Sequence, residues 1–592
     1  MLIPPVRYRI RPLDPAAHHF EVVCSVTHTA PDGQRFALPA WIPGSYLIRE
    51  FARHVVAIRA EAGGRAVRLK KLDKHTWQAA PVKDGSPLTV TMTVYAWDLS
   101  VRGAHLDTTH GFFNGTSVFL RVLGQEDAPC LIDIQPPQGR EFKSWRVATA
   151  LPPARGERGA AKALGFGLYR AENYDELIDH PVEMGTFTHF TFEACGVPHD
   201  VAITGRHDCD TSRLAADLKK ICTAQIDFFG RPAPMQRYVF LVTAVGDAYG
   251  GLEHRASTAL ICKRADLPAP GQPALSEGYR RFLGLCSHEY FHTWNVKRIK
   301  PAAFVPYDLE RENYTPLLWA FEGFTSYYDD LFLLRSGVID RTSWLELLTD
   351  TLTAVRRAPG RQVQSLAESS FDAWIKYYRP DENTPNAVVS YYAKGALLGL
   401  ALDLTLRATG KTSLDAVMRE LWLRHGQRGI GVGDDDIRLI AEELSGLSLK
   451  RFFADYDAGT RELPLERLLA QAGIRLEWRA DPKAKHGVDL GVRTKNENHD
   501  VVLATVYPGG VAHAAGLSAG DALLAIDGLR VTPANLDALL ARKRAGDTLE
   551  VHAFRRDELM RFDLTLATPP ADTARLTPAA RANALRRAWL GG

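Results

Sequence analysis

The spacing of apolar residues changes twice along this chain, and that change limits the folds it can adopt. In the first part, segments such as "FEVVCSV" and "LTVTMTV" alternate with a period of two, which predicts antiparallel strands buried on one face. The middle part opens with strands such as "RYVFLVTAV" and then becomes helical, and short strands and turns return towards residue 570. Because 592 residues are too many for one core, we expect several domains. The alternating segments place the following residues on one side: Phe20, Val22, Cys24, Val26, Leu88, Val90, Met92 and Val94.

The segment "SHEYFHTW" carries two histidines four residues apart, with a glutamate directly after the first. The run before it, "SEGYRRFLGLCSHEYFHTW", has no proline and predicts a helix, so His288 and His292 lie only about 40° apart on one face. Two imidazoles one turn apart can reach one ion, and Glu289 then projects beside the metal's bound water as a base. The alternative is a surface helix with two solvated histidines. Chance alone gives this pattern about 0.04 times in such a chain.

The segment "TPLLWAFEGFTSYYDDLFLLRSG" predicts a long apolar helix. Thr315 is the expected N-cap, Pro316 the first helical residue, and Gly337 the end. Glu322 interrupts the apolar run, where an unpaired carboxylate is costly to bury, and a metal offsets that cost. The alternative is a salt-bridged or exposed glutamate. The predicted apolar stripe consists of Leu317, Phe321, Phe324, Tyr328 and Leu331.

These segments together resemble the gluzincin metallopeptidases. "HEYFH" followed by "LWAFEGFTSYY" and "SYYAKGALLGLALD" is similar to the aminopeptidase-N pattern of HExxH, a helix with NEGF, and YxKG, while "GGLEH" stands in the place of the G-x-M-E-N exopeptidase motif. "WIPGSYLIREFARHV" and a PDZ-like segment near the carboxyl end point to the glycyl aminopeptidase family, a PDZ-bearing branch. On this basis the resemblance covers nearly the whole chain.

The resemblance implies a role for each motif residue. His288, His292 and Glu322 would bind zinc, and Glu289 would be the general base. Tyr392 would donate a hydrogen bond to the oxyanion, with the adjacent tyrosine or neither as the alternative.

The "GGLEH" motif would bind the substrate's amino end. Glu253, on a glycine-flanked loop beside the expected edge strand "STALIC", would pair with the amino-terminal ammonium. Gly250 and Gly251 would let the substrate backbone come close and add as a strand. The alternative is a turn with a solvated glutamate.

The predicted fold class is multidomain α+β. We expect an N-terminal antiparallel β domain over residues 1–180, a thermolysin-like zinc peptidase domain with a helical half over 181–475, a PDZ-like domain over 476–570 and a loose or helical tail over 571–592. In the PDZ-like part, Asp527-Gly528 predicts a hairpin turn, and "GVDLGV" is expected to accept a peptide carboxyl terminus; a purely structural appendage is the alternative.

Composition excludes several other classes. Lys+Arg 72 against Asp+Glu 69 leaves a net charge of +3, which argues against nucleic acid as a partner. We find no signal peptide and no apolar run long enough to span a membrane, and the seven cysteines are scattered, so a cytoplasmic location is expected. The basic segment "WNVKRIKP" is expected to be a solvated loop, or alternatively to hold substrate carboxylates.

We therefore predict an aminopeptidase with one zinc ion per chain, acting on peptides with a free amino terminus. The resemblance implies a preference for glycine or alanine at that terminus. Two alternatives stay open: a metalloendopeptidase that recruits substrates through its PDZ-like module, and a non-enzymatic peptide-binding scaffold built on a peptidase core. Equal cleavage of a peptide and its N-acetylated form would favour the endopeptidase. Failure to retain zinc would favour the scaffold.

Overall fold

The computed structural model describes residues 6–590 and divides the chain into two compact units. The first unit comprises Met1–Asn313, Tyr328–Ile339 and Met418–Gly433. The second comprises Tyr314–Tyr327, Asp340–Val417 and Asp434–Gly592. Among the described residues, no helix is both long and apolar enough to cross a membrane.

The first unit begins with a region made mainly of strands. A seven-stranded sheet has the order β14-β12-β1-β2-β8-β4-β5, and two four-stranded sheets have the orders β13-β15-β10-β9 and β11-β3-β7-β6. The bounds in this region are β1 (Val6–Asp14), β2 (His19–Val26), β3 (Arg35–Ala37), β4 (Val55–Ala62), β5 (Arg65–Val67), β6 (Leu69–Lys71), β7 (Thr76–Ala79), β8 (Leu88–Tyr95), β9 (Ala104–Leu106), β10 (His110–Phe113), α1 (Gly115–Val118), β11 (Arg121–Val122), β12 (Cys130–Ile134), β13 (Arg146–Thr149), β14 (Gly167–Ala171), α2 (Tyr174–Ile178) and β15 (Val182–Gly185).

The predicted alternation in β2 and β8 is confirmed. Phe20 pairs with Val94 and Val22 with Met92 across an antiparallel ladder, and all four side chains are buried. Because the apolar residues of both strands share one face, their burial fixes the register. The sheet is antiparallel except for the parallel pairing of β1 with β12.

A mixed five-stranded sheet follows in the first unit, in the order β16-β17-β18-β20-β19. The pairs β17–β18 and β18–β20 are parallel, while β16 and β19 are antiparallel edge strands. Apolar residues of β18, β19 and β20 join side chains of the N-terminal region in one cluster. The elements are β16 (Phe187–Ala194), β17 (Val197–Thr204), α3 (Thr211–Phe229), β18 (Tyr238–Val245), β19 (Gly250–Glu253), β20 (Ser257–Lys263) and α4 (Glu277–Phe291).

Helices dominate the next part of the chain. They are α5 (Leu318–Arg335), α6 (Arg341–Arg357), α7 (Leu366–Phe371), α8 (Thr384–Ala387), α9 (Ala393–Ala408), α10 (Leu414–Arg424), α11 (Asp436–Ser445), α12 (Lys450–Tyr456) and α13 (Leu465–Gln471). Short 3₁₀ helices lie at Phe51–His54, Arg264–Asp266, Ala302–Phe304, Pro359–Gln362 and Gly426–Arg428.

All five residues of the predicted apolar stripe are buried, and the last four of them lie in helix α5. The helix begins at Leu318, two residues later than the sequence indicates, because Pro316 and Leu317 form a turn in front of it. The predicted N-cap Thr315 accepts a hydrogen bond from the Leu317 amide at 3.3 Å. The cap residue is therefore engaged, but in the turn rather than at the helix end.

The last part of the second unit is a small sheet with its own core. Its order is β22-β23-β24-β26-β27, with β25 paired to β24. The hairpin predicted at Asp527-Gly528 is confirmed, since both residues have positive φ angles between β24 and β25. The elements are β21 (Ile474–Arg479), β22 (Val492–Glu497), β23 (Asp500–Val506), α14 (Val511–Ala514), β24 (Ala522–Ile526), β25 (Leu529–Arg530), α15 (Leu536–Leu540), β26 (Thr548–Arg555), β27 (Glu558–Thr565), β28 (Thr573–Pro578) and α16 (Ala584–Leu590). The stretch expected to be a tail thus contains β28, which pairs with β21, and α16.

Candidate active site

Helix α4 brings the two histidines of "HEYFH" together. The Ser276 side chain caps its start by accepting a hydrogen bond from the Tyr279 amide at 3.1 Å. His288 lies in the last turn, and His292 follows directly with a helical backbone conformation. The centroids of the two imidazole rings are 4.7 Å apart, as the spacing of four residues predicts.

Both imidazoles are oriented through Nδ1. His288 Nδ1 lies 2.9 Å from Oδ2 of Asp329, and His292 Nδ1 lies 2.7 Å from the carbonyl oxygen of Asn295. Each Nδ1–H therefore donates, which leaves Nε2 for another partner. Metal-binding histidines are held in this way by carboxylates and carbonyls. Burial raises the pKa of Asp329, and the hydrogen bond with His288 opposes that shift.

The sequence interpretation did not identify Asp329 or Asn295. For Asp329 a signal exists, because it follows Glu322 by seven residues in α5. Seven residues are close to two helical turns, so both acidic side chains lie on the same face of that helix. The Asn295 contact is made by its main-chain carbonyl, and a main-chain contact leaves no residue-type signal in the sequence.

The edge strand β19 passes closely over Glu289. A Cβ at Gly251 would lie 2.6 Å from Cγ of Glu289 and nearer still to the carboxylate, so only glycine fits there without a shift. The prediction that "STALIC" is the edge strand is wrong: this segment is the inner strand β20, and β19 lies outside it. β19 begins with two glycines, which have low strand propensity, so the sequence did not predict this strand.

Glu253 ends β19 and lies beside the same centre. Its carboxylate is buried, with the residue 3% exposed, and Glu289 is 5% exposed. One oxygen from each carboxylate and one nitrogen of His292 all lie within 4.8 Å of one another. A Cβ at Gly44, in the segment "WIPGSY", would meet both carboxylate oxygens of Glu253 at 2.6 Å. Main chain therefore closes one side of the space around Glu253.

Two further motif glycines bring Glu322 and Tyr392 together. A Cβ at Gly323 would lie 2.6 Å from Cα of Gly395, so α5 and α9 cross with their backbones in contact. Tyr392 directly precedes α9. Burial raises the pKa of Tyr392 well above its ordinary value, and the negative charge of Glu322 raises it further, as expected for close neighbours. The Tyr392 hydroxyl lies 3.3 Å from that of Tyr378.

The residues predicted to bind metal lie on two helices. His288 and His292 share one face of α4, and Glu322 shares one face of α5 with Asp329, which contacts His288. Two imidazole nitrogens and a carboxylate oxygen are ligands that catalytic zinc uses, with one position left for water. With both Nδ1 atoms engaged as donors, these residues fit a zinc ion.

Comparisons with known proteins agree with this arrangement. Three family models match the chain: the Peptidase M61 N-terminal domain over residues 7–186, M61 glycyl aminopeptidase over 281–398, and a PDZ domain over 488–566. The crystal structure of an aminopeptidase N family protein from Idiomarina loihiensis is 43% identical in sequence, covers 99% of this chain and 100% of that chain, and has a TM-score of 0.94. The chain belongs to the M61 glycyl aminopeptidase family.

Two other structures are more distant. An M1 zinc metallopeptidase from Deinococcus radiodurans is 15% identical over 78% of this chain and 95% of that one, with a TM-score of 0.48. Legionella pneumophila aminopeptidase A, in complex with aspartic acid, is 14% identical over 76% of this chain and 49% of that one, with a TM-score of 0.47. Both TM-scores are too low to support a conclusion. A search of curated proteins found no match.

Membership of the family makes the chain a peptidase of the zinc aminopeptidase class. The predicted fold class is confirmed, with an N-terminal β-rich domain, a peptidase core of sheet and helices, and a PDZ domain near the carboxyl end.

A buried charge network supports the end of β19 in this M61 core. Asp179 is contacted by Lys297 Nζ at 2.6 Å and by Arg255 Nε at 2.8 Å. The expectation that "WNVKRIKP" is a solvated loop is therefore wrong for Lys297, whose side chain is 4% exposed. His254 lies 3.4 Å from the same carboxylate, and burial lowers its pKa to about 4. The local sequence predicted a solvated lysine because the partner of Lys297, Asp179, is far away in the sequence.

Proposed function

We propose that this M61 family member removes glycine or alanine from the amino terminus of peptides, using one catalytic zinc ion per chain. The observation that carries the proposal is the pair of buried carboxylates, Glu253 and Glu289, whose oxygens lie within 4.8 Å of each other and of His292. Two buried carboxylates so close together repel each other when both are ionised, so a cation is favoured beside them. A metal ion and a substrate ammonium are the two cations that the chemistry requires.

We assign the zinc to His288, His292 and Glu322. Helix α5 supports Glu322, because Asp329 on the same helical face already holds the His288 imidazole. When bound, zinc would supply a Lewis acid that polarises the scissile carbonyl and lowers the pKa of a water molecule to about 7. The Nδ1 hydrogen bonds of the two histidines would keep both rings in the orientation and tautomer that this requires.

Glu289 acts as the general base in this proposal. It lies one residue from a zinc ligand on α4, so it accepts a proton from the attacking water and later donates it to the leaving amine. Gly251 leaves room for its carboxylate beneath β19. Tyr392 donates a hydrogen bond to the oxyanion of the tetrahedral intermediate; its raised pKa keeps the phenol protonated and able to donate.

Glu253 binds the amino-terminal ammonium and so selects free amino termini. Gly250 and Gly251 present an edge strand to which the first residues of a peptide add. The main chain at Gly44 lies against the Glu253 carboxylate and limits the space beside the ammonium. That restriction favours a glycine or alanine side chain over a larger one.

The test of this proposal combines one variant with a substrate panel. Glu289→Gln is expected to keep the zinc content measured by plasma mass spectrometry and to abolish hydrolysis of amino-acid anilides. Glycine and alanine anilides should be cleaved with a higher kcat/KM than leucine or phenylalanine anilides. Equal cleavage of a peptide and its N-acetylated form would remove Glu253 from its role and favour an endopeptidase.

We also propose domain bounds of 1–180, 181–475 and 476–570, with 571–592 as a terminal segment that pairs β28 with β21 and contains α16. The PDZ domain is proposed to bind a peptide carboxyl terminus along the exposed edge strand β22, next to the loop at Gly491. Fluorescence anisotropy with labelled peptides tests this. Binding that is lost when the peptide carboxylate is amidated is the expected result, and equal binding of both forms would contradict it.

A further inference from the structure

A second cluster of metal-binding side chains lies in the N-terminal region, outside the catalytic residues. His105 lies in β9, Asp107 lies in the turn that follows, and His110 starts β10. One ligand atom from each of the three lies within 4.8 Å of the others. The two imidazole centroids are 5.0 Å apart. A hairpin thus presents two nitrogens and one oxygen to a common point.

The two oxygens of Asp107 have different tasks. Oδ1 accepts hydrogen bonds from the Thr109 amide at 2.6 Å and the His110 amide at 3.0 Å, which fixes the turn. Oδ2 lies 3.4 Å from Nε2 of His105. That separation exceeds the roughly 2.7–2.9 Å of a charge-assisted hydrogen bond. It is close to the separation of about 3.3 Å between neighbouring ligand atoms of a tetrahedral zinc ion with bonds of about 2.0–2.1 Å.

Within the described part of the chain, His105 makes no short hydrogen bond with either ring nitrogen. The residue is 4% exposed, its Nε2 has only the 3.4 Å contact with Asp107, and its Nδ1 has no hydrogen-bond partner among the described residues. Leaving a buried polar nitrogen unsatisfied is costly. A cation bound at Nε2 would give this imidazole a short contact where the described residues offer only the one at 3.4 Å.

His110 is held in the way expected of a metal ligand. Its Nδ1 lies 3.1 Å from Oε1 of Glu183, which is 2% exposed on the neighbouring strand β15. A carboxylate on Nδ1 orients the ring and leaves Nε2 to bind metal. The same arrangement holds His288 through Asp329 in the catalytic site.

We propose that His105, Asp107 and His110 form a second divalent-cation site, suited to zinc, with Glu183 positioning His110. The site would be structural and would hold the hairpin of β9 and β10 against β19. Arg102, just before β9, donates from Nη2 to the carbonyl of Gly251 at 3.4 Å. Phe112 of β10 lies in the same apolar cluster as Leu252 of β19.

The first test counts metal ions in the full-length chain. The protein is stripped with a chelator, reloaded with Zn²⁺, desalted and measured by plasma mass spectrometry. The wild-type chain should hold two zinc ions, His105→Gln one, and His288→Gln one. His75→Gln, at a buried histidine elsewhere in the N-terminal region, should still hold two. One ion in the wild type that is lost only in His288→Gln would overturn the proposal.

The second test does not depend on removing a ligand. In a His288→Gln background, Co²⁺ titration followed by visible absorption reports the second site alone. Adding Glu183→Gln should weaken Co²⁺ binding by about 10–100-fold, as removal of an outer carboxylate does at metal sites. Unchanged affinity, or no saturable Co²⁺ signal in that background, would refute the site. Thermal melting confirms that each variant is folded, and the result does not depend on peptidase activity.

Discussion

A methyl group at Gly251 is expected to separate catalysis from metal binding. In Gly251→Ala the new Cβ would lie 2.6 Å from Cγ of Glu289 and nearer to its carboxylate. Ordinary contacts of this kind are about 3.4 Å or longer, so the base must move by about 1 Å or β19 must lift by the same amount. Gly251 has no positive φ angle, so the substitution causes steric overlap without backbone strain.

The size of the effect follows from that displacement. A misplacement of about 1 Å at a reacting group costs about 100-fold in rate. This corresponds to about 2.7 kcal/mol of lost transition-state stabilisation. Because the proposed zinc ligands do not include Glu289, the zinc content should stay at the wild-type value. We therefore expect kcat for alanine anilide to fall by about 100-fold.

Gly250→Ala is the matched control. A Cβ at Gly250 would meet its nearest atoms, Nη1 of Arg102 and Cγ2 of Ile261, at 3.8 Å, which is an ordinary contact. This variant should keep kcat within about threefold of wild type, because its methyl group does not displace Glu289, and any effect on peptide docking along β19 should appear in KM. Steady-state kinetics and zinc analysis of both variants, side by side, check the prediction. If Gly251→Ala retains full kcat, or if it loses zinc, the assignment of Glu289 beneath β19 is refuted.

Three further predictions concern the supports of the site. Asp329→Ala should weaken zinc binding by about 10–100-fold in chelator competition, since the residue holds His288; an unchanged affinity would contradict this. Gly323→Ala should lower stability by about 1–3 kcal/mol in urea unfolding, because its methyl group would overlap Gly395; wild-type stability would show that the helices can separate freely. Asp179→Asn should cost about 3–5 kcal/mol at pH 7, because it leaves Lys297 buried without its partner. Burial would raise the pKa of Asp179, but Lys297 and then Arg255 hold it well below its usual range, so its stabilisation is present above a pH of about 3.9 and is lost as the pH falls through the folded-state pKa. The difference between wild type and Asp179→Asn should therefore shrink in acid, and a constant difference from pH 7 to pH 2 would be inconsistent with this assignment.

Local periodicity accounts for the parts of the fold that the sequence predicted. A strand with one buried face must alternate, so Phe20 and Val22 indicated both the strand and its inner side. Helical geometry placed His288 and His292 on one face from their spacing alone. Both are properties of a single element, which is why neighbouring residues suffice to predict them.

The parts that were missed depend on partners distant in sequence. The strand β19 begins with two glycines, which have low strand propensity, and it pairs because β20 offers it an unpaired edge. Which residue of the pair Asp329-Asp330 orients His288 depends on how α5 packs, although the seven-residue spacing from Glu322 favours Asp329. These contacts arise from tertiary packing, so spacing within α5 can indicate the face on which Asp329 lies but not its partner on α4.

The basic segment shows why such failures concentrate near the active site. A prediction from charge alone places a charged side chain in solvent. That prediction is correct for most residues, because most charged side chains have no buried partner of opposite charge. Lys297 is an exception because Asp179 does reach it, and Arg255 brings a second cation to the same carboxylate. Arg255 follows Glu253 by two residues, so this buried network anchors the chain directly after the proposed ammonium site. A glutamate that must hold an ammonium in one place needs rigid support, and the buried ion pairs supply it. Burying these charges costs desolvation free energy, which is why such pairs are expected at a functional site and not in an ordinary surface segment.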